Sequence, residues 1–188
     1  MFEENLAAEL KSRSITIAAS ATVGDGARIG DRASIGDKAN IGAWAIIGDG
    51  ASIGDGARIG DGAIVIDRAT VGAGASIGAS AAIGASAIIG DGATVGDRAI
   101  VGDRARIGDG AIISDTFSCI TLGPIGSRSD MMTGYMHRGH IWIGTGCFIG
   151  DVETFEEKVQ KTHVNNRHAK DYGHAVAYLR AKFASEAQ

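Results

Sequence analysis

Histidine is the side chain best suited to acid–base catalysis near neutral pH, and its distribution in this chain is uneven. All five histidines of the 188-residue sequence lie in its last third. They are His137, His140, His163, His168 and His174. A histidine there could act as a general base that takes a proton from a substrate hydroxyl or amine. If the chain is a catalyst, His140 or His163 is the expected base.

A second set of polar groups could bind an anion. Residues 123–128, Gly-Pro-Ile-Gly-Ser-Arg, are expected to form a loop with exposed amides, a hydroxyl and a guanidinium. Further donors cluster between two predicted helices at residues 161–168. The predicted ligand-binding residues are Ser127, Arg128, Lys161, His163, Asn165 and His168. The alternative is structural, with the loop turning the chain and the second cluster capping a helix.

The two cysteines, Cys119 and Cys147, give no metal or disulfide pattern. Such low cysteine content fits a reducing compartment. Cys147 follows His137 and His140 in a predicted hairpin, but this spacing matches no standard zinc pattern. No metal site is therefore predicted, and nothing in the sequence places Cys147 beside a histidine as a nucleophilic pair.

The groups above must be positioned by a six-residue repeat that fills most of the chain. From Ile17 to Ile113 an aliphatic residue recurs at every sixth position, and alanine lies two residues before nearly every one. Residues two apart in a strand point to the same side, so both are expected to point inward. Pairs such as Asp25-Gly26 supply the turns. Stacked coils would then bury a column that no single hexad can bury.

This run resembles the hexapeptide-repeat family. The resemblance implies an all-β solenoid, a left-handed parallel β-helix with three hexads per coil, and a homotrimer. It also implies acyl transfer from acyl-CoA or acyl carrier protein, with a histidine base beside the cleft between subunits. The coils of this chain contain no histidine and no inserted loop, which departs from that pattern.

The C-terminal part carries a resemblance of its own. The segments GPIGSRSD, TGCFIGDVETFEEKV and KTHVNNRHAKDY are similar to those of uncharacterised bacterial and phage hexapeptide-repeat proteins. That group supplies no catalytic residues by analogy.

Three regions are predicted. Residues 1–14 form an N-terminal helical cap, with Phe2, Leu6 and Leu10 at helical spacing. Residues 15–121 form the β-helix, and residues 122–188 form a small α+β unit. The unit is expected to contain a hairpin around residues 137–139 and two helices. A capping box at residues 154–157 opens the first helix, and the second begins near Ala169.

One of the three faces of the predicted prism is apolar. Residues eighteen apart stack on the same face, which brings Ile46, Ile64 and Ile100 into one ladder. Ile66 lies beside them, and Trp44 lies at the adjoining corner. Because a contiguous exposed apolar patch usually marks an interface, these five residues are predicted to form the contact of a homotrimer.

Composition argues against several classes of partner. The net charge is -4 and no basic run is present, which disfavours binding to a nucleic acid polymer or an anionic membrane. No apolar stretch reaches the length of a membrane-spanning helix. The first residues carry acids and no apolar segment typical of a signal peptide, so a cytoplasmic location is expected.

Three functions remain open. The first is a non-catalytic homotrimer that holds a small anionic, nucleotide-like ligand between its C-terminal units and needs no cofactor. A phage protein that sequesters a host signalling nucleotide would be one example. The alternative is a hexapeptide-repeat acyltransferase that uses acyl-CoA and a C-terminal histidine base. The third is a structural or assembly module with the coils as a rigid spacer.

Overall fold

The computed structural model describes residues 9–115 and 118–184. Within these ranges, seventeen strands of two residues each, β1–β17, form three parallel sheets. The first sheet contains β1 Thr16–Ile17, β4 Ser34–Ile35, β7 Ser52–Ile53, β10 Thr70–Val71, β13 Ile88–Ile89 and β16 Arg106–Ile107. The second contains β2 Thr22–Val23, β5 Asn40–Ile41, β8 Arg58–Ile59, β11 Ser76–Ile77, β14 Thr94–Val95 and β17 Ile112–Ile113. The third contains β3 Arg28–Ile29, β6 Ile46–Ile47, β9 Ile64–Val65, β12 Ala82–Ile83 and β15 Ile100–Val101.

These strands coincide with the seventeen predicted aliphatic positions, and each pairs with strands eighteen residues away. The predicted left-handed parallel β-helix is therefore confirmed. Its core is an aliphatic column lined by alanine: Ala57 and Ile59, for example, are 0% and 2% exposed. Each fully buried isoleucine stabilises the fold by about 1.5–3 kcal/mol. Alanine keeps the axis of the prism narrow.

The corners of the coils are held by aspartate side chains. The Asp49 carboxylate accepts a hydrogen bond of 2.9 Å from the backbone N–H of Asp31, eighteen residues earlier. Asp67 accepts the corresponding bond from Asp49, also at 2.9 Å. Asp91 does the same for Ala73 at 2.8 Å. The turn residues of the repeat therefore also connect one coil to the next.

The N-terminal cap can be followed only in part. Residues 9–12 are helical. The predicted cap residues Phe2 and Leu6 lie outside the described ranges. The first coils are less covered than the later ones, since Val23 of β2 is 39% exposed.

Beyond the coils, the chain forms an antiparallel sheet followed by two helices. The sheet contains β18 Cys119–Ile125, β19 Asp130–His137, β20 His140–Thr145 and β21 Phe148–Asp151, paired in that order. Helix α1 spans Val152–His163 and helix α2 spans Arg167–Ala184. The hairpin around residues 137–139 is confirmed, because His137 pairs with His140. Of the helices in the described ranges, none is long and apolar enough to cross a lipid bilayer.

Three details of this unit differ from the sequence-based expectation. Residues 123–125 belong to β18 rather than to a loop, because the chain pairs with β19 at Leu122 and again at Ile125, with an irregularity between them. A turn at Gly146 ends the returning strand and creates β21. Asp151, not Thr154, is the N-cap of α1, since its carboxylate accepts the N–H of Thr154 at 2.7 Å.

The antiparallel sheet caps the C-terminal end of the β-helix. Tyr135 belongs to the core of the coils, and Trp142 packs against that core. Met132 and Ile143 belong to a second core shared with α1 and α2. Glycine is needed where the sheet approaches the coils, because a side chain at Gly144 would collide with the backbone oxygen of Arg106. The sheet is thus packed between the last coil and the two helices.

Side chains of β19 replace the missing next coil. In the coils, strand N–H groups donate to backbone oxygens seventeen residues later, as Ile88 does to Ala105. In the last coil, the N–H of Arg106 donates to the Thr133 hydroxyl at 3.1 Å. The N–H of Gly108 donates to the Tyr135 hydroxyl at 2.9 Å. These contacts satisfy donors that an open β-helix end would leave unpaired.

Candidate active site

The C-terminal unit contains a pocket of about 250 Å³ between the sheet and the helices. Ser127, Arg128 and Asp130 line one side and the turn between β20 and β21 lines another. Helix α1 supplies Phe155, Lys158 and His163, and α2 supplies Tyr172. The pocket therefore combines an imidazole and an ammonium group with an aromatic wall, a composition typical of small-molecule sites.

The aromatic wall is held by ring contacts. The Phe155 ring lies 5.3 Å from that of Tyr172 at a nearly perpendicular angle, and 5.2 Å from that of Phe148. Such tilted and edge-on pairs are favourable because of the ring quadrupoles. Gly126 is buried against Tyr172 and leaves no room for a side chain there. The wall is thereby fixed before any ligand enters.

Two cations at the pocket have no carboxylate partner among the residues that the structure describes. The ammonium of Lys158 lies 4.8 Å from the centre of the Phe148 ring, and the Arg128 guanidinium lies beside the turn at Gly146. The nearby Asp130 carboxylate is instead paired with Arg104 of the coils at 3.1 Å. Both cations are thus free to meet an anionic or oxyanionic ligand.

His163 is the histidine of this pocket. It is the last residue of α1 and is half-buried. Its ring lies 5.8 Å from that of Tyr172 and 5.7 Å from that of His168. The described hydrogen bonds of the chain do not engage the His163 ring nitrogens. The imidazole can therefore exchange a proton with a ligand in the pocket.

The structure brings together three of the six predicted ligand residues. Ser127, Arg128 and His163 line the pocket. Lys161 and Asn165 are exposed and lie outside the lining. His168 also lies outside the lining, in the first turn of α2. The Asn166 carboxamide oxygen caps that helix by accepting from the N–H groups of His168 and Ala169.

The sequence analysis missed Lys158, Cys147 and the three aromatic residues of the wall. Helical periodicity could have indicated Phe155, which lies eight residues before His163 on α1 and so faces a similar side, and Lys158, which lies three residues after Phe155. No local signal places Cys147 there, because its position depends on the turn at residue 146.

The other candidate base, His140, lies elsewhere. It borders a shallow groove with Arg138, Trp142 and Asp151 and is exposed. The neighbouring His137 is buried, with its ring edge-on to Trp142 at 4.9 Å between ring centres. Burial lowers the pKa of His137, and the charge of Arg138 lowers it further. Because its pKa is lowered, His137 gains a proton less readily than an exposed histidine, and it serves as a packing residue.

The apolar face lies where the sequence predicted it. Ile46 pairs with Ile64 in the third sheet, and Ala82 separates Ile64 from Ile100. These isoleucines are 39–53% exposed. Ile66 is 40% exposed, and Trp44 is 72% exposed. The patch is the largest group of exposed aliphatic and aromatic side chains on one side of the described coils.

Comparison with known proteins gives a family match for the coils. A family model described as the GMPPB C-terminal domain matches residues 12–120. The match includes the β-helix and ends where β18 begins, so the pocket lies beyond it. No curated protein sequence gives a significant match.

Several solved structures are similar to this one. The acetyltransferase domain of PglB from Neisseria gonorrhoeae FA1090, in complex with acetyl coenzyme A, is 22% identical; the match covers 61% of this chain and 60% of that chain, with a TM-score of 0.51. PerB from Caulobacter crescentus, in complex with CoA and GDP-perosamine, is 23% identical over 60% and 59%, with a TM-score of 0.52. The UDP-N-acetylglucosamine acyltransferase of Francisella novicida is 27% identical over 53% and 44%, with a TM-score of 0.50. The chain thus spans less than two thirds of the length of each.

These likenesses correct the first-ranked functional expectation. A non-catalytic protein that holds or sequesters an anionic ligand was expected, but one similar structure is named as an acetyltransferase domain and another as an acyltransferase. That expectation is wrong, and the acyltransferase alternative agrees better with the comparisons. The first-ranked hypothesis gave too much weight to the lack of histidine in the coils, because the C-terminal unit places His163 at a pocket.

Proposed function

The chain belongs to the family of the GMPPB C-terminal domain, and on that β-helical scaffold we propose that it is an acyltransferase whose chemistry lies in the C-terminal unit. The observation that carries the proposal is the pocket that joins His163 to two unpaired cations and an aromatic wall. The likeness to the Francisella novicida acyltransferase supports the reaction class. The donor is an acyl-CoA, as in the named complexes with CoA.

The pocket suits the thioester end of the donor. Its volume of about 250 Å³ is smaller than that of sites for whole drug-sized ligands, so it receives the acyl group and the adjoining arm. The aromatic wall covers the apolar part of that arm. The cationic groups of Arg128 and Lys158 attract phosphate groups at the entrance. They also stabilise the negative charge that develops on the thioester oxygen. The nucleotide remains outside the pocket.

His163 acts as the general base. It takes the proton of the attacking nucleophile, whose bond to the acyl carbon forms as the bond from that carbon to the CoA sulfur breaks. His163 then returns the proton to the departing CoA thiol. The acceptor is a hydroxyl or an amine, and nucleotide sugars are the first class to test, because the Francisella novicida relative is named for UDP-N-acetylglucosamine.

The test measures CoA release from acetyl-CoA by chromatography, with a panel of nucleotide sugars as acceptors. We expect His163→Ala to reduce turnover by roughly 10²–10⁴-fold, the usual contribution of a positioned acid–base group. His174→Ala is the matched control, because His174 is exposed on α2 and outside this pocket. Its turnover should stay within twofold of that of the unchanged protein.

Two outcomes would contradict the assignment in different ways. If His140→Ala abolishes turnover while His163→Ala does not, the reaction stands but the base lies in the groove beside Trp142. If the protein neither binds acetyl-CoA in calorimetry nor releases CoA with any acceptor, acyl transfer itself is wrong. The coils would then serve as a structural or assembly module.

The assembly proposed for this enzyme is a homotrimer in the cytoplasm. The exposed patch of Trp44, Ile46, Ile64, Ile66 and Ile100 supports it, because association would remove these apolar side chains from water. Native mass spectrometry should show a trimer that Ile64→Arg dissociates. Ser76→Arg on another face is the control and should leave the trimer intact. A monomer in the unchanged protein would contradict the proposal.

A further inference from the structure

The pocket contains a nucleophile that the proposed reaction has not used. Cys147 lies at the turn between β20 and β21, is exposed, and lines the pocket together with His163. The other cysteine, Cys119, is buried in the core of the coils. Burial raises the pKa of Cys119 to about 12. The chain thus has one thiol that is accessible at a cavity and one that is inert.

Two cations lie near the turn that carries Cys147. Arg128 lies next to the turn that carries it, and a side chain at Gly146 would come within 3.6 Å of that guanidinium. The ammonium of Lys158 lies over the ring of Phe148, the residue that directly follows Cys147. Cations beside a thiol can stabilise the oxyanion that forms when its sulfur attacks a thioester carbon. The imidazole of His163, in the same lining, can accept the thiol proton.

The size of the pocket favours reaction in two stages. A pocket of about 250 Å³ is small for two substrates, so a reaction that uses it for one substrate at a time suits its size. If the acyl group stays on the protein, CoA can leave before the acceptor enters. A covalent intermediate of this kind divides one difficult step into two easier ones.

We propose that Cys147 carries the acyl group as a thioester between the donor and the acceptor; this rests on the proposed acyltransferase function. In the first half-reaction the Cys147 sulfur attacks the thioester carbon as His163 takes its proton. A carbon–sulfur bond to Cys147 forms, the carbon–sulfur bond to CoA breaks, and CoA leaves with the proton returned by His163. One thioester replaces another, so nothing is oxidised or reduced.

The second half-reaction restores the enzyme. The acceptor amine or hydroxyl attacks the Cys147 thioester, and His163 takes the proton of the acceptor. The bond from the acyl carbon to the acceptor forms, and the bond to the Cys147 sulfur breaks. The proton passes to the departing sulfur, which regenerates the thiol. Cys147 is then a catalytic residue that reacts with both substrates in turn.

The experiment is intact mass spectrometry of the full chain after incubation with acetyl-CoA and no acceptor. We expect one added acetyl group, mapped to Cys147 by peptide analysis and removed by neutral hydroxylamine, which cleaves thioesters and leaves acetyl-lysine intact. Cys147→Ala should lack the adduct and lose at least 10²-fold in turnover. Cys119→Ala is the matched control and should retain both. The adduct should also disappear when an accepting nucleotide sugar is added.

Four outcomes separate this proposal from the function on which it rests. If Cys147→Ala turns over normally, the acyl group passes directly to the acceptor and only the covalent step is wrong. If an adduct forms equally on the unfolded chain, or decays more slowly than turnover, it is chemical acetylation and the proposal fails. If His163→Ala abolishes both the adduct and turnover, the pair acts as proposed. Without turnover or an adduct in the unchanged protein, both proposals fail.

Discussion

The coils and the C-terminal unit of this molecule use polar groups in opposite ways. In the coils, aspartates such as Asp49 and Asp67 accept hydrogen bonds from the backbone of the preceding coil, so their polar atoms serve the stacking. In the C-terminal unit, the turn after β18 and helix α1 bring Arg128, Lys158 and His163 to one pocket. Repetition spreads equivalent groups along an axis, whereas irregular structure lets different groups converge. A regular solenoid therefore needs an appended unit, or a second copy, to build a site.

The two cysteines show the same contrast on a smaller scale. Cys119 continues the inward column of the repeat and lies in the core of the coils. Cys147 lies at a turn where the sheet changes direction, and its thiol is exposed. The same side chain is a packing residue in one region and a candidate nucleophile in the other. Position in the fold, rather than residue type, decides which role is open to it.

The largest effect is expected from a cavity in the column of the coils. Ile77 is 1% exposed, and Ile77→Ala should lower the free energy of unfolding by about 2–5 kcal/mol, because the rigid neighbouring coils cannot collapse into the space. Ser76→Ala on the outer surface is the control and should change it by less than about 0.5 kcal/mol. Urea denaturation measures both, followed by the summed fluorescence of Trp44 in the coils and Trp142 in the sheet.

The same variant tests whether turnover depends on the packing of the coils. Where Ile77→Ala is still folded, its turnover of acetyl-CoA should equal that of the unchanged protein, since the cavity lies in the coils. A loss of turnover at full occupancy of the folded state would contradict the separation, and would place part of the reaction against the coils.

The next effect tests the junction of the two regions. Tyr135→Phe removes the hydroxyl that accepts the N–H of Gly108 and should lower the free energy of unfolding by about 1–3 kcal/mol. Burial raises the pKa of Tyr135 to about 12, so the acceptor is the neutral hydroxyl at ordinary pH. Hydrogen exchange should accelerate at the Gly108 amide in particular. Tyr178→Phe, at a residue that is 51% exposed, is the control.

If Tyr135→Phe leaves both stability and exchange unchanged, the sheet covers the coils only by shape. The two regions would then be adjacent rather than joined by hydrogen bonds that replace a missing coil.

The sequence predicts these two regions with unequal success, for a physical reason. In the coils each hexad repeats one local rule, so the spacing of Ile17 through Ile113 determines both the strands and their register. The pocket depends on how α1 packs on the sheet, which no local pattern encodes. Ser127 and His163 could be predicted as polar groups, but their convergence with Cys147 required the turn at Gly146. The expected loop at residues 123–125 was wrong because Leu122 and Ile125 both pair with β19, so that Gly-Pro forms only an irregularity within the strand.

The smallest effect concerns the start of α1, where sequence and structure disagree. The capping-box pattern ending at Glu157 predicted Thr154 as the N-cap, whereas Asp151 holds that position and accepts from the Thr154 N–H. Asp151→Ala should therefore lower the free energy of unfolding by about 0.5–2 kcal/mol, and Glu157→Ala should have no comparable effect. Equal losses in the two variants would favour the capping box instead.

The contribution of Asp151 should also depend on pH. Its hydrogen bonds from Thr154 hold the pKa of the carboxyl below its ordinary value of 3.8, so the folded state binds the proton less readily than the unfolded chain. The stabilisation is complete above that ordinary value and is lost as the pH falls through the lower pKa of the folded state. Asp151→Ser retains a capping oxygen without a titrating group. In urea titrations from neutral pH downward, its stability should approach that of the unchanged protein at low pH, and a constant difference between the two would mean that the carboxylate charge plays no part in the cap.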